Sequence, residues 1–204
     1  MKKFFMRNCL FYFLTALISY FTAEKLQASS YPYEIQIKNL RFEKALAGEE
    51  KFLTDFAIHS NDSYKTRTAD LSVAEEVFSV SAGQIEQGLV EKLVSFSDKC
   101  KVIVGFYSLK DDGNPSEIEL GHLFTDPKFF RKKIGTTLFY RAADKAKELG
   151  RNRMFWISDP DAEEFYLKMG AQKDGLDENL LNPKIPVPLF SYNLNRMPSS
   201  FVKK

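Results

Sequence analysis

Apolar and polar positions follow two rhythms along the chain, one with the period of a strand and one with the period of a helix. The strand-type segments are 35–40, 93–97, 100–109, 117–125, 153–157 and 189–194. Helical spacing covers 42–58, two pieces of 71–92 that break near 79–83, then 135–149 and 160–169. The alternation of these segments predicts one α/β unit.

Glycine and proline mark where several elements end. Gly150 and Gly170 directly follow the last two helical segments, where a residue with a permissive φ ends a helix. Asp159 precedes Pro160, an arrangement typical of an N-cap and a first helical position. The turn over 111–115 joins the two central strand segments and predicts a β-hairpin.

Residues 1–28 have a composition of their own. A basic start, 1–8, precedes a run without charges, 9–21, and the small residue Ala28 ends a short polar stretch. This layout is typical of a cleaved secretory signal peptide. The apolar run is shorter than the ~20 residues of a spanning helix, which favours the signal peptide over an uncleaved N-terminal anchor. The anchor is one alternative, and a segment packed on the domain is another. We expect a secreted or periplasmic protein, with a cytoplasmic one as the alternative.

The composition argues against several kinds of site. The cysteines, Cys9 and Cys100, are too few for a disulfide framework or a cysteine zinc site, and the histidines, His59 and His122, are too few for a multi-histidine metal centre. We therefore expect no metal. The net charge is only +2, and the basic excess lies in residues 1–28. Because a broad basic excess is missing, nucleic acid is not an expected partner.

A basic turn between a strand and a helix carries the first chemical signal. Arg131, Lys132 and Lys133 follow the 117–125 strand and precede the 135–149 helix. A helix N-terminus holds about half a positive charge and unpaired N–H groups, so it binds anions, and three cations strengthen that field. The turn therefore predicts a pyrophosphate site. A solvated basic turn before an amphipathic helix is the alternative.

A second segment, SDPDAEEFYLKMGA over 158–171, completes a recognisable pattern. Together the two segments resemble the GCN5-related N-acetyltransferase (GNAT) superfamily, in which a strand, a phosphate turn, a helix and a short strand precede Ala-x-x-Phe-Tyr and Met-Gly-Ala. The resemblance is good over 102–171 and weaker in the flanking segments. It implies the acyl-CoA N-acyltransferase (GNAT) fold, an α/β fold with a mixed, mostly antiparallel central sheet flanked by helices, over 29–204.

The turn departs from the family pattern Arg/Gln-x-x-Gly-x-Gly/Ala. Phe130 stands at its first position and Lys133 at its first glycine, and only Gly135 matches. A lysine can still present its N–H to a pyrophosphate if its φ is negative, although its side chain adds bulk. The departure leaves open that the protein is an inactive, degenerate copy of the family's enzymes.

The resemblance implies residues that bind acetyl-CoA, the co-substrate. They are Leu123, Phe124 and Thr125 on the central strand, Phe130, Arg131, Lys132, Lys133, Ile134, Gly135 and Thr136 around the turn, and Asp161. The implied reaction is direct attack of a primary amine on the acetyl group. Because such an amine, with a pKa near ~10.4, arrives protonated, a base must take its proton. The leaving thiolate benefits from an acid.

Glu119 and Tyr166 match the positions of the family's base and acid. Glu119 lies four residues before Leu123 on a strand, and Tyr166 matches the helix tyrosine near the CoA sulfur. Strict alternation puts Glu119 on the face of Glu117 and opposite His122. The alternative for Glu119 is therefore a pair of carboxylates on a wet sheet face. Tyr166 has a core tyrosine as its alternative, and we expect His122 to be a packed core histidine.

The predicted function is acetyl transfer from acetyl-CoA to an amine of a small molecule or a protein. A non-catalytic acyl-CoA-binding or interaction module is an alternative, since a fold does not fix a function. The N-terminal segment motivates another, an exported effector-type acetyltransferase. A membrane is a partner only if that segment stays uncleaved, and a homodimer remains open. Tyr64, in the loop after the first helix, is a candidate for the acceptor cleft.

Overall fold

The computed structural model describes residues 39–61, 71–96 and 101–196. The chain divides into two compact units, Met1–Arg41 with Ser95–Val102, and Phe42–Val94 with Ile103–Lys204. All site residues discussed below belong to the second unit. The predicted signal or anchor segment, Tyr64 and both cysteines lie outside the described residues. No helix in the described ranges is long and apolar enough to cross a membrane.

Strands and helices alternate along the described chain. The strands are β1 Leu40–Lys44, β2 Val90–Phe96, β3 Lys101–Lys110, β4 Glu117–Thr125, β5 Arg153–Ile157, β6 Gln172–Asp177 and β7 Val187–Asn193. The α-helices are α1 Glu50–Asn61, α2 Leu71–Val77, α3 Ala82–Glu86, α4 Ile134–Glu148 and α5 Glu163–Lys168. Turns of 3-10 helix cover Pro127–Phe129, Pro160–Ala162 and Leu194–Arg196.

The described strands form one sheet in the order β1-β2-β3-β4-β5-β7-β6. β4 pairs antiparallel with β3 and parallel with β5, while β7 pairs antiparallel with both β5 and β6. The predicted α/β fold with a mixed, mostly antiparallel sheet is therefore confirmed. The parallel step from β4 to β5 is made by α4, the crossover that a parallel pair requires.

The start of the domain differs from the prediction. The structure places a strand at Leu40–Lys44 and begins α1 only at Glu50, so the predicted helix over 42–58 starts too early. Between them the chain turns at Gly48, whose φ is 90°, and the Glu49 carboxylate accepts the N–H of Leu46. A turn in this position ends the strand and sets the start of the helix. Of the strand predicted over 35–40, residues 35–38 lie outside the described residues.

Two further segments were assigned incorrectly from the pattern. Residues 90–92 belong to β2 rather than to a helix, because Gly88 adopts a φ of 67° and ends α3. The helix predicted over 160–169 divides into a 3-10 turn and α5. β6 was missed, since its sequence, QKDGLD, lacks apolar alternation and its pairing with β7 defines it.

A buried ionic network holds α4 on the sheet. Arg141 of α4 donates from Nε and Nη2 to the Glu91 carboxylate at 2.7 and 2.9 Å, and the Tyr107 hydroxyl donates to the same carboxylate at 2.8 Å. Bidentate pairs of this kind fix orientation as well as distance. The position of the first turn of α4 therefore follows from contacts made farther along the helix.

Candidate active site

β4 and β5 are paired over only part of their length. The paired residues are Glu117 with Arg153, Ile118 with Met154, and Glu119 with Phe155. Both strands continue beyond these pairs, β4 to Thr125 and β5 to Ile157. An unpaired strand edge offers main-chain hydrogen bonds to an extended ligand. The end of the pairing thus creates a gap that an extended molecule can enter.

Two N–H groups of β4 point toward this gap. The N–H of Asp126 donates to a carbonyl oxygen of β3 at 3.0 Å. Because successive peptide groups of a strand face opposite edges, the N–H groups of Leu123 and Thr125 point away from β3. The N–H of Phe124 points toward β3, and its ring meets the Phe78 ring edge-on at 5.4 Å. Leu123 and Thr125 therefore offer N–H donors to the gap, whereas the N–H of Phe124 faces β3.

The turn before α4 contains two residues in the left-handed region. The φ of Arg131 is 63° and that of Lys133 is 62°. The condition of a negative φ at Lys133, under which its N–H could still face a pyrophosphate, is therefore not met. Glycine adopts this conformation at no steric cost, whereas other residues are strained by about 1–2 kcal/mol. Lys133 thus takes up the backbone shape that a glycine would supply, at a cost in stability.

The N-terminus of α4 has no side-chain cap. Lys133 is the N-cap residue, and its side chain makes no capping hydrogen bond. The N–H groups at 134–136 therefore keep the partial positive charge of a helix start. The side chains of Arg131, Lys132 and Lys133 are exposed, and none of the three forms a salt bridge with another described residue. Together these groups concentrate positive charge where the sequence predicts a pyrophosphate site, and they are called the anion site below.

Gly135 allows α5 to pack against this anion site. A Cβ atom at Gly135 would lie 3.4 Å from two ring carbons of Phe165 and 3.9 Å from Oγ1 of Thr125. A methyl group here would make ordinary van der Waals contact with the Phe165 ring, so α5 lies directly against the first turn of α4. The close approach brings the helix of Tyr166 next to the turn that precedes α4.

Asp161 lies in the 3-10 turn that leads into α5. Its N–H donates to Oδ1 of Asp159 at 2.7 Å, and the Asp159 side chain caps this turn as predicted. The Asp161 side chain is exposed. Phe130, the residue at the first position of the family pattern, is also exposed. Neither side chain belongs to the core.

Tyr166 is buried within a cluster of aromatic rings. Only 7% of its surface is exposed. Its ring lies 4.9 Å from those of Trp156 and Phe165 and 5.6 Å from that of Phe190. These contacts fix the ring in one orientation, which suits either a core tyrosine or an acid held in place.

Glu119 is paired with a residue that the sequence analysis missed. Nζ of Lys110 on β3 donates to Oε1 of Glu119 at 3.0 Å. Both side chains remain partly exposed, at 45% for the lysine and 36% for the carboxylate. The only signal for this pair is the hairpin itself, since the two residues lie at matching positions of β3 and β4.

A β-bulge changes the predicted face of His122. The register passes from Ser108 with His122 to Leu109 with Leu120, so Gly121 is the extra residue of β4. Ser108 and Lys110 share one face of β3, and they contact His122 and Glu119 respectively. His122 and Glu119 therefore lie on the same face of the sheet. The expectation of opposite faces is wrong, although a glycine within a strand does signal a bulge.

His122 is a buried, neutral histidine. It is 2% exposed, and Nδ1 lies within hydrogen-bond distance, 2.6 Å, of the Ser108 hydroxyl. Burial, with a smaller contribution from the positive charge of Lys110, lowers the pKa of His122 to about 3. At neutral pH the ring is therefore uncharged, which agrees with the predicted core histidine.

Glu117 contacts other groups although it lies only two residues from Glu119. Its carboxylate accepts Nη1 of Arg153 at 2.7 Å and Nδ2 of Asn114 at 3.1 Å. These bonds tie β4 to β5 and to the hairpin turn. Among the residues that the structure describes, no three His, Cys, Asp or Glu side chains come together to hold a metal ion.

Comparison with solved structures identifies the fold. The PaiA N-acetyltransferase of Thermoplasma acidophilum, in complex with coenzyme A, has a TM-score of 0.59 at 20% identity over 76% of this chain and 99% of its own. The GCN5-related N-acetyltransferase from Rhodopseudomonas palustris has a TM-score of 0.55 at 17% identity, over 79% of this chain and 99% of its own. YncA, a putative acetyltransferase from Salmonella typhimurium with its cofactor acetyl-CoA, has a TM-score of 0.54 at 17% identity, over 80% of this chain and 98% of its own.

Family assignment rests on the sequence itself. No curated protein matches the chain. The family model described as the acetyltransferase (GNAT) family matches residues 70–171, half of the chain. That range contains the strand gap, the anion site, Glu119 and Tyr166. The chain therefore belongs to the GNAT acetyltransferase family.

Proposed function

We propose that this protein transfers an acetyl group from acetyl-CoA to a primary amine of a small molecule or a protein. The observation that carries the proposal is the N-terminus of α4 without a side-chain cap, beside the open edge of β4. Three exposed cations precede it, and none of them forms a salt bridge with a described residue. One site suits the pyrophosphate of coenzyme A, and the other suits its extended pantetheine arm. Two of the similar structures are described with coenzyme A or acetyl-CoA bound.

The binding steps follow from these two places. The N–H groups at 134–136, with Arg131 and Lys132, hold the pyrophosphate at the helix start. The N–H groups of Leu123 and Thr125 pair with the pantetheine arm and bring the thioester into the gap between β4 and β5. A donor aimed at the thioester oxygen stabilises the negative charge that develops there during attack.

The proton transfers require two side chains. Glu119, partly exposed on β4, takes a proton from the amine, directly or through a water molecule. The neutral amine attacks the acetyl carbon. Tyr166, held by its neighbouring rings, gives a proton to the departing thiolate. His122 does not act as the base, because a buried ring with a pKa of about 3 has little affinity for a proton at neutral pH.

Binding of acetyl-CoA tests the anion site directly. Calorimetric titration should show that the double variant Arg131→Glu and Lys132→Glu binds about tenfold more weakly at low salt, and that the difference shrinks as salt screens the charges. A matched control reverses Lys147 and Lys184, which are exposed and distant in the sequence from the turn. Equal affinity of both variants at low salt would contradict the proposed pyrophosphate site.

A non-catalytic acyl-CoA-binding module is the second candidate. The burial of Tyr166 among aromatic rings favours it, because a core tyrosine needs no chemical role. Release of free thiol from acetyl-CoA, measured with a broad set of amines, separates the two. Binding without thiol release for any amine supports the module, and turnover supports the transferase.

A further inference from the structure

An amine of the chain itself already contacts the proposed base. The ammonium group of Lys110 donates to Glu119 at 3.0 Å, and no other ion pair of the described residues engages either side chain. A substrate amine that gives its proton to Glu119 must make this same contact. Lys110 therefore occupies the place that an acceptor amine would take.

The structure also provides room for Lys110 to lie along β4. A Cβ atom on Gly121 would be 2.9 Å from Cε and 3.0 Å from Cγ of Lys110, so the glycine makes space for the lysine stem. The stem thus passes over Gly121, on the Leu123 side of Glu119, while its Nζ contacts Glu119. Leu123 lies two residue steps beyond Gly121, about 7 Å along the strand, which is within reach of a flexible four-carbon side chain.

We propose that the protein acetylates its own Lys110 at Nζ, within the same molecule; this inference rests on the proposed function. Glu119 takes one proton from the Lys110 ammonium group. The neutral nitrogen then forms a bond to the acetyl carbon, and the bond from that carbon to the CoA sulfur breaks. The products are N-acetyl-Lys110, free CoA thiol and one released proton.

Acetylation of Lys110 changes the site. The amide product is neutral, so the ion pair with Glu119 is lost and the carboxylate becomes available to an external amine. The modification occurs once per molecule, because an amide nitrogen is no longer a nucleophile. Lys110 is therefore a modification site that precedes turnover of external acceptors.

Lys51 offers a matched control for this proposal. Its ammonium group contacts Asp55 at 3.0 Å, the same distance as in the Lys110 pair, and its side chain is more exposed, at 67% against 45%. Spontaneous acetylation by acetyl-CoA should therefore label Lys51 at least as fast as Lys110. Acetylation that depends on the proposed active site should label Lys110 faster than Lys51.

The test incubates the full-length protein with acetyl-CoA carrying an isotopic label in its acetyl group, and maps labelled lysines by mass spectrometry. We expect Lys110 to be labelled about 10²-fold faster than Lys51, at a fractional rate that dilution of the protein does not change. Glu119→Gln should reduce the Lys110 rate to that of Lys51. Equal rates in the wild type, an unchanged rate in Glu119→Gln, or a fractional rate that rises with protein concentration would overturn the proposal.

A parallel assay separates this inference from the proposed function. If the protein acetylates an external amine while Lys110 stays unlabelled, the inference fails and the proposed function stands. If the protein neither binds acetyl-CoA nor releases thiol from it, both fail. Labelling of Lys110 together with turnover of an external amine supports both.

Discussion

The tight packing around Gly105 on β3 allows a quantitative prediction about how α4 packs against the sheet. A Cβ atom at this position would lie 2.6 Å from the carbonyl oxygen of Phe124, 2.8 Å from Cδ1 of Leu138 and 3.4 Å from Cγ2 of Ile134. The first of these neighbours is backbone and cannot rotate away. Gly105→Ala must therefore push β4 and the first turns of α4 apart.

The expected loss of stability can be estimated from overpacking. Extra methyl groups in a packed core cost about 1–3 kcal/mol, and the reduced freedom of alanine in the unfolded chain offsets about 0.4–1 kcal/mol. Because the nearest neighbour is a backbone atom, we take the upper end of the overpacking cost, and the net loss in the free energy of unfolding is then about 2 kcal/mol. For a chain of this size, that corresponds to a fall of roughly 4–8 °C in Tm.

Urea unfolding followed by tryptophan fluorescence measures this loss, because Trp156 is the single tryptophan of the chain and is buried. Gly175→Ala on β6 is the matched control, since nothing lies within 4 Å of its Cβ position and its φ is not positive. The control should unfold within about 0.5 kcal/mol of the wild type. Equal midpoints for the Gly105 and Gly175 variants would refute the packing argument.

Three further variants test single features of the site. Lys133→Gly should raise the free energy of unfolding in urea by about 0.5–1 kcal/mol, because relief of the left-handed strain exceeds the added freedom of glycine in the unfolded chain; a lower free energy of unfolding would contradict this. The His122 pKa is about 3 when folded and ~6.5 when unfolded, so its contribution to stability is complete above pH 6.5 and decreases by at most about 1.4 kcal/mol per unit as the pH falls toward 3. His122→Gln should therefore lose less stability than the wild type between pH 6.5 and 4.5 in urea titrations, and parallel curves would argue against a neutral buried ring. Tyr166→Phe should lower turnover by about 10²-fold and leave acetyl-CoA affinity unchanged, whereas full turnover would make Tyr166 a packing residue.

Local sequence patterns predicted the centre of the sheet well. The bounds of β4 and β5 match the prediction, because apolar side chains recur through both segments and a polar residue directly follows each. The polar strand β6 could not be found in this way. Its residues form a strand because β7 provides hydrogen-bond partners, and such pairing is a long-range property.

The parts of the site that depend on backbone shape were not predictable. The basic turn was located from its charges, but the φ of 62° at Lys133 follows from the path of the chain and not from the preference of a lysine. The bulge at Gly121 breaks the period of two, which reversed the expected face of His122 and concealed the pairing of Lys110 with Glu119. A pattern read along one strand contains no information about its register with the next.

The dependence of the acetylation rate on pH tests most directly whether Glu119 is the base of an amine acetyltransferase. The measurement is the initial rate of CoA release with the fastest amine found in the acceptor screen, for the wild type, Glu119→Gln and Glu117→Gln. Glu117 is a suitable control, because its carboxylate is exposed to a similar extent, 31% against 36%. We predict that Glu119→Gln loses about 10²-fold or more near pH 7 and recovers partly as the pH approaches the pKa of the amine, while Glu117→Gln stays near the wild type. A wild-type rate in Glu119→Gln, or an equal loss at every pH, would contradict the assignment of Glu119 as the base.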